Sequence, residues 1–143
     1  MLNVVFENNT KFEVDINFLD KIAKYISDKE IEFIFTNNSE IQEINLTTRG
    51  IDKPTDVLSF PYDDMPNTPL GSIVISADFV EEQSKFYNHN FSDELALLFI
   101  HGLLHLVGYD HEVDNGEHRQ KEEELIKKYD LPDSLIVRTN KEY

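Results

Sequence analysis

The sequence contains no cysteine and no tryptophan, and its 13 lysine and arginine residues are outnumbered by 28 aspartate and glutamate residues. Without cysteine the chain can form neither a disulfide nor a thiolate metal site, which fits a reducing compartment. The apolar runs all fall short of the roughly 20 residues that a membrane-spanning helix requires. The N-terminal segment MLNVVFENNT has no basic region and no small-residue cleavage site, so no signal peptide is predicted. We therefore expect a cytoplasmic protein that makes no contact with a membrane.

The shortage of basic residues bears on the kind of partner. The formal net charge is −15, whereas nucleic-acid-binding proteins usually carry a basic surface and an acidic surface repels phosphates. Salt limits this repulsion to a Debye length of about 8 Å, so a metal ion and a few local cations can outweigh it at close range. A protein partner with a basic surface would also suit the charge.

The length and composition are those of one globular domain. The chain has 143 residues, of which 40% are hydrophobic and 29% charged, so we expect a single domain over residues 1–143. A domain of this size buries about two-thirds of the surface that its unfolded chain exposes. The chain is therefore long enough to enclose a substantial core.

Hydrophobic periodicity predicts interleaved strands and helices. The predicted strands are residues 2–6, 31–36, 55–60 and 71–76, and residues 135–138 are expected to be extended. The predicted helices are residues 15–27, a short segment opening at the candidate N-cap Ser39, and residues 77–87, 92–107 and 117–129. This order indicates an α+β fold, a small mixed four-stranded sheet packed with about five helices. The helix at 92–107 is apolar nearly all round, so we expect it to be central and buried.

The most informative motif is H-G-L-L-H-L-V-G-Y-D-H at residues 101–111. At about 3.6 residues per turn, His105 lies about 40° around the helix from His101 and about 6 Å along its axis, so both imidazoles can reach one ion. Gly108 is well placed to end the helix, which lets the chain fold back and bring His111 to the same point. Histidines on so apolar a helix are unfavourable unless they are paired or coordinated. The spacing therefore predicts a metal site formed by His101, His105 and His111.

The ligand set and its neighbours indicate what kind of metal site this is. Three imidazoles with an open fourth position are typical of catalytic zinc. The spacing also equals that of a zinc-peptidase motif in which the residue after the first histidine is a general-base glutamate, but here that residue is Gly102. The sequence therefore argues against ordinary peptidase chemistry. His89 and His118 lack ligand spacing, and we interpret both as solvated residues.

Three segments together resemble one family. The histidine motif, Arg49-Gly50 followed by PTDVLSFP at 54–61, and LGSIVIS at 70–76 are similar to the signatures of the YbeY-type endoribonucleases, zinc-dependent bacterial factors of ribosomal RNA maturation. One position departs from the pattern, because Ser72 stands where the family usually has aspartate.

The resemblance implies a function and a set of site residues. The implied activity is single-strand-specific RNA cleavage, in maturation of the 3′ end of small-subunit ribosomal RNA and in ribosome quality control, with the small subunit or its proteins as partners. It assigns the zinc ligands to His101, His105 and His111 and the functional arginine to Arg49. We expect one zinc ion per chain.

The mechanistic roles of the remaining residues are open. Arg49 offers a planar fork of donors suited to phosphate, and Ser59 and Ser72 are candidates for hydrogen bonds to substrate. Asp110 is a candidate general base, or a partner that orients an imidazole; a metal-bound hydroxide or the RNA 2′-hydroxyl would need no protein base. Two other functions stay open: a metal-dependent hydrolase of another substrate, and a non-catalytic ribosome-assembly factor with a structural metal.

Overall fold

The structure is a computed structural model that describes residues 1–110 and 112–132. The predicted ligand His111 and the predicted extended segment 135–138 lie outside the described residues.

Four strands form one mixed sheet in the order β1-β2-β4-β3. Strands β1 (Val4–Asn8), β2 (Ile31–Thr36) and β4 (Gly71–Ser76) run parallel, and β3 (Val57–Pro61) pairs antiparallel with β4 at the edge. The strand β4 is buried along its whole length, as expected for a strand that is paired on both sides and covered on both faces.

Five helices complete the described part of the chain. They are α1 (Ile16–Ile26), α2 (Asn38–Arg49), α3 (Ala77–Phe86), α4 (Phe91–Leu106) and α5 (Glu117–Tyr129). The predicted α+β fold with a mixed four-stranded sheet and about five helices is thus confirmed, and so is the buried position of α4. No helix among residues 1–110 and 112–132 is both long and apolar enough to cross a membrane.

Two details of the local predictions are wrong. The cap of α2 is Asn37 rather than Ser39, because the Asn37 side chain accepts a hydrogen bond from the Glu40 N–H. The helix is also 12 residues long rather than short, and it is followed by the C-cap residue Gly50, whose φ of 71° is left-handed. Only Ile41 and Asn45 of this helix are buried, so its hydrophobic stripe is weak. The hydrophobic periodicity therefore indicates the middle of the helix but not where it begins and ends.

The two faces of the sheet carry two cores of unequal size. Alternate residues of β2 point to opposite sides: Phe33 and Phe35 enter the large core, whereas Ile34 packs against the small one. The large core contains buried residues of α1, α3, α4 and α5, and the small core includes Ile41 of α2. Helix α2 therefore covers one face of the sheet, and α4 covers the other.

Two glycines let α4 lie close to the sheet. A Cβ atom at Gly71 would meet the Phe60 carbonyl oxygen at 2.5 Å and Leu106 Cδ2 at 2.7 Å. A Cβ atom at Gly102 would meet Ser59 Oγ at 2.9 Å and Ile73 Cγ2 at 3.2 Å. The close approach fixes the position of α4, and hence of its two histidines, against β3 and β4.

Candidate metal centre

The C-terminal half of α4 carries His101 and His105 one turn apart. His101 is buried, with 8% of its surface exposed, and the two rings lie edge to face with centroids 4.9 Å apart. The helix stops as predicted at Gly108, which has a φ of 104° and donates its N–H to the His105 carbonyl at 3.1 Å. Helix α5 packs against α4 after this turn, whereas the predicted return of His111 to the same point lies outside the described residues.

Helix α5 brings a further histidine to this pair. The Asp114 carboxylate accepts hydrogen bonds from the N–H groups of Gly116 and His118, at 2.9 Å each. These bonds stabilise the turn at the N-terminus of α5. His118 is fully buried, and its ring stacks on His101 at 4.8 Å and lies edge to face with His105 at 4.8 Å. The interpretation of His118 as a solvated residue is therefore wrong.

The sequence of α5 carries a signal for the burial of His118. His118, Glu122 and Leu125 are the buried residues of α5, and they follow the i, i+4, i+7 spacing of one helix face. The face is hard to recognise because two of its three residues are polar. His89 was also interpreted as solvated, but its side chain is only 11% exposed and its Nε2 lies 3.6 Å from Oε1 of the buried Glu94.

The described histidines form a candidate metal cluster. One ring nitrogen from each of His101, His105 and His118 lies within 4.8 Å of the others. Two Zn–N bonds of about 2.0–2.1 Å put ligand nitrogens no more than about 4 Å apart, so the observed separations are close to those that one ion requires. Imidazole suits zinc, copper, iron and nickel. The donors present thus fit a divalent transition metal.

A buried carboxylate adjoins the cluster. Glu122 is 1% exposed, and its Oε2 lies 2.5 Å from His101 Nδ1 and 3.2 Å from His118 Nε2. Burial raises the pKa of Glu122, but the interactions with His101 and His118 outweigh burial and lower that pKa to about 2. Glu122 is therefore an anion at neutral pH.

Gly102 has a structural reason to be glycine. It faces β3, where Ser59 Oγ donates a hydrogen bond to the Gly102 carbonyl oxygen at 2.9 Å, and there is no room for a long side chain. A general-base glutamate at this position would enter the sheet rather than the site. The packing thus explains why the general-base glutamate of the peptidase motif is absent here.

The other predicted residues lie in different places. Ser59 shares the α4 face of the sheet, but its hydroxyl is bound to Gly102. Ser72 lies on the alternate face, opposite Phe60 of the small core, and its hydroxyl interacts with Tyr62. Asp110 is half-buried just after α4 and accepts a hydrogen bond from the Glu112 N–H at 3.1 Å.

Arg49 is the exposed last residue of α2. The loop that follows is fastened to the same helix, because Asn45 Nδ2 donates to the Lys53 carbonyl at 2.9 Å and Gln42 Nε2 donates to Asp52 Oδ1 at 2.9 Å. This loop leads to the edge strand β3. Arg49 therefore stands at the start of an anchored loop, and its guanidinium is accessible to a ligand.

The fold and the histidine cluster together define an α+β protein with a candidate catalytic metal centre. A family profile described as Endoribonuclease YbeY matches residues 4–130, and the chain belongs to this family. It is 60% identical over 138 residues to the Endoribonuclease YbeY of Aliarcobacter butzleri, covering 94% of this chain and 97% of that one. The Endoribonuclease YbeY of Sulfurimonas denitrificans is 57% identical over 134 residues, which cover 94% and 96% of the two chains.

A solved structure has a similar fold. The solution structure of TM1509 from Thermotoga maritima matches with a TM-score of 0.59 and 32% sequence identity, over 87% of each chain. The resemblance inferred from three short signatures is thus confirmed over nearly the whole length of the chain.

Proposed function

We propose that residues 1–143 form a single zinc-dependent endoribonuclease domain that cleaves single-stranded RNA in the cytoplasm. The proposed substrate is the 3′ end of small-subunit ribosomal RNA. A second proposed role is in ribosome quality control, with the small subunit or its proteins as partners. The observation that carries the proposal is the packing of His101 and His105 on a buried helix, in a chain that belongs to a family described as endoribonucleases.

The proposed metal ligands are His101, His105 and His111. The first two come from α4, and the motif supplies the third after the turn at Gly108. These histidines would hold a zinc ion, which when bound would supply Lewis-acid stabilisation of a phosphoryl oxygen of RNA. Catalytic zinc sites use three protein ligands and keep one position open, and a fourth protein ligand would close such a position. For this reason we assign His118 to the support of the site rather than to the ligand set.

The chain's own residues must hold the RNA against an unfavourable overall charge. Arg49 binds a phosphate next to the scissile bond through two parallel N–H donors, which is the geometry in which arginine exceeds lysine. With a net charge of −15, attraction of RNA depends on this cation and the metal at short range. Ser59, Ser72 and Asp110 remain predictions as substrate or orienting residues.

The test compares RNA cleavage with metal content in one preparation. We expect zinc-loaded protein to cut a single-stranded RNA that carries the 3′ segment of small-subunit ribosomal RNA. The same RNA in duplex form should stay intact. His105→Ala should lose both stoichiometric zinc, measured by plasma emission, and cleavage. Cleavage by a His105→Ala preparation, or cleavage that separates from the protein peak in a final size-exclusion step, would attribute the activity to a contaminating nuclease.

A second candidate function is a ribosome-assembly factor with a structural metal, favoured by the acidic charge, which suits a basic ribosomal protein. Sequencing ribosomal RNA ends from cells with wild-type, His105→Ala or Arg49→Ala protein separates the two. If the protein is an endoribonuclease, both variants should leave the 3′ ends unprocessed. If it is an assembly factor, Arg49→Ala should leave normal 3′ ends. A peptide library assayed beside the RNA tests the remaining hydrolase alternative.

A further inference from the structure

We propose that Glu122 is a positioning residue of the metal centre: it holds His101 in the tautomer whose Nε2 faces the metal and ties His118 to the same point. The proposal rests on the metal-binding part of the proposed function. It concerns a residue outside the histidine motif, on a different helix from the two α4 ligands.

The His101 ring turns its Nδ1 toward Glu122. An imidazole has two nitrogens, and His101 Nδ1 lies 2.5 Å from Glu122 Oε2. A neutral imidazole donates from one nitrogen and accepts or coordinates through the other. With Nδ1–H donating to the carboxylate, the Nε2 lone pair is the one available to a metal. The hydrogen bond therefore selects both the tautomer and the coordinating atom.

Glu122 is a buried carboxylate that contacts two imidazoles. A carboxylate with 1% exposure is strongly unfavourable in a protein interior unless it is paired and hydrogen-bonded. One oxygen of Glu122 faces both His101 and His118, at 2.5 Å and 3.2 Å. The contact with His118 is within one helix, whereas the contact with His101 joins α5 to α4. The carboxylate thus fastens two imidazoles from two helices at one point.

Glu122 differs from the acidic residues next to it. Glu123 and Glu124 lie beside Glu122 on α5, yet their side chains are 44% and 53% exposed and pair with Arg119 and Lys121 of the same helix. Surface pairs of this kind contribute little to stability. Only Glu122 of the three points inward, because it stands four residues after the buried His118 and three before the buried Leu125. The acidic run therefore contains one residue with a different role.

A carboxylate that accepts from a ligand histidine fixes its orientation and raises its basicity, and loss of such a partner typically lowers metal affinity about 10–100-fold. Glu122→Gln keeps an acceptor of the same shape but removes the charge, so we expect about a tenfold rise in the zinc dissociation constant. Glu122→Leu removes the acceptor as well, so we expect about a hundredfold rise. Glu123→Gln is the matched control and should stay within twofold of wild type, because its ion pair lies at the surface.

The experiment has two readouts, neither of which is RNA cleavage. Zinc affinity is measured by competition with a chromophoric chelator. The His101 tautomer is read in metal-free protein from two-bond 1H–15N correlations of the imidazole, with His101→Gln used to assign the signals. We expect a protonated Nδ1 in wild type and a mixture of tautomers in Glu122→Leu. A wild-type His101 protonated on Nε2, or unchanged zinc affinity in Glu122→Gln, would overturn the proposal.

The design remains decisive if a variant folds poorly. Far-ultraviolet circular dichroism and urea unfolding of the metal-free proteins report the fold, and the wild-type tautomer alone can refute the proposal when Glu122→Leu is unfolded. The outcome is also separable from the proposed function. Weaker zinc binding in Glu122→Gln, together with no cleavage of RNA by zinc-loaded wild type, would reject the endoribonuclease and leave the role of Glu122 intact.

Discussion

The Ser59 hydroxyl donates a hydrogen bond to the carbonyl oxygen of Gly102 at 2.9 Å, and this contact joins the edge strand β3 to the helix that carries His101 and His105. A side chain at Gly102 would press into the same contact, because a Cβ atom there would lie 2.9 Å from Ser59 Oγ and 3.2 Å from Val57 Cγ2. The residue that separates this motif from the peptidase motif is thus required for packing.

We expect Gly102→Glu to lower the free energy of unfolding by about 3 kcal/mol, because it combines overpacking with a buried charge. Gly102→Ala should have a smaller effect, since the gain in helix propensity, about 0.5–1 kcal/mol, offsets part of the strain. Urea unfolding of metal-free protein measures both. A Gly102→Glu protein as stable as wild type would show that the glutamate side chain fits without overlapping β3, and would contradict the packing role of Gly102.

His111 and His118 compete for the role of third ligand, and their removal should have unequal effects. We expect His111→Ala to weaken zinc binding at least about a hundredfold and His118→Ala about tenfold, because His118 acts on the metal through its contact with Glu122. Chelator competition gives the affinities. His89→Gln, at the other end of α4, is the control and should bind zinc normally. The reverse order of effects would assign the third position to His118.

Arg49 is exposed, so its replacement should change activity without changing stability. We expect Arg49→Ala to lower kcat/KM on single-stranded RNA about 10–100-fold, because this is the effect of losing one hydrogen bond to a charged group. Arg49→Lys should recover only part, since lysine lacks the planar fork. The exposed neighbour Lys53 supplies the control Lys53→Ala. Equal losses in Arg49→Ala and Lys53→Ala would indicate general attraction of RNA instead of a specific clamp.

The sequence predicted the elements whose hydrophobic pattern is strong and missed the features that depend on contacts between distant residues. Strands β2 and β4, helix α4 and the turn at Gly108 follow from local pattern and glycine chemistry. The packing of His118 on His101 joins two different helices, and only the i, i+4, i+7 spacing within α5 indicates it locally. The cap of α2 was missed because Asn37 directly follows β2, where the strand pattern obscures it.

Asp20 provides a test of acid stability away from the metal. Its carboxylate accepts the N–H groups of Asn3 and Val4 at 2.6 Å and 2.9 Å and pairs with Lys24 at 3.1 Å. Burial raises the pKa of Asp20, but these contacts outweigh burial and hold the pKa below its usual value. A carboxyl with a lower pKa in the folded state stabilises the fold above its unfolded pKa, near 3.9, and this contribution disappears as the pH falls through the folded pKa.

We accordingly expect Asp20→Asn to lower the free energy of unfolding at pH 7 by about 2 kcal/mol, the value of a hydrogen bond to a charged group. The difference between wild type and variant should shrink as the pH falls below about 4. Urea unfolding at a series of pH values measures it. The exposed Asp28 supplies the control Asp28→Asn, and a constant difference at all pH values would show that the charge of Asp20 does not matter.

Zinc should stabilise the folded chain in proportion to its affinity, because the unfolded chain does not hold His101 and His105 together. A ligand present at about 1,000 times its dissociation constant adds about 4 kcal/mol to the free energy of unfolding. We therefore expect a chelator to lower the Tm of wild type by several degrees, and added zinc to restore it. His105→Ala should have the Tm of the metal-free protein and no response to either reagent. Calorimetry across a zinc titration is the measurement, and a chelator shift that persists in His105→Ala would locate the bound metal elsewhere in the chain.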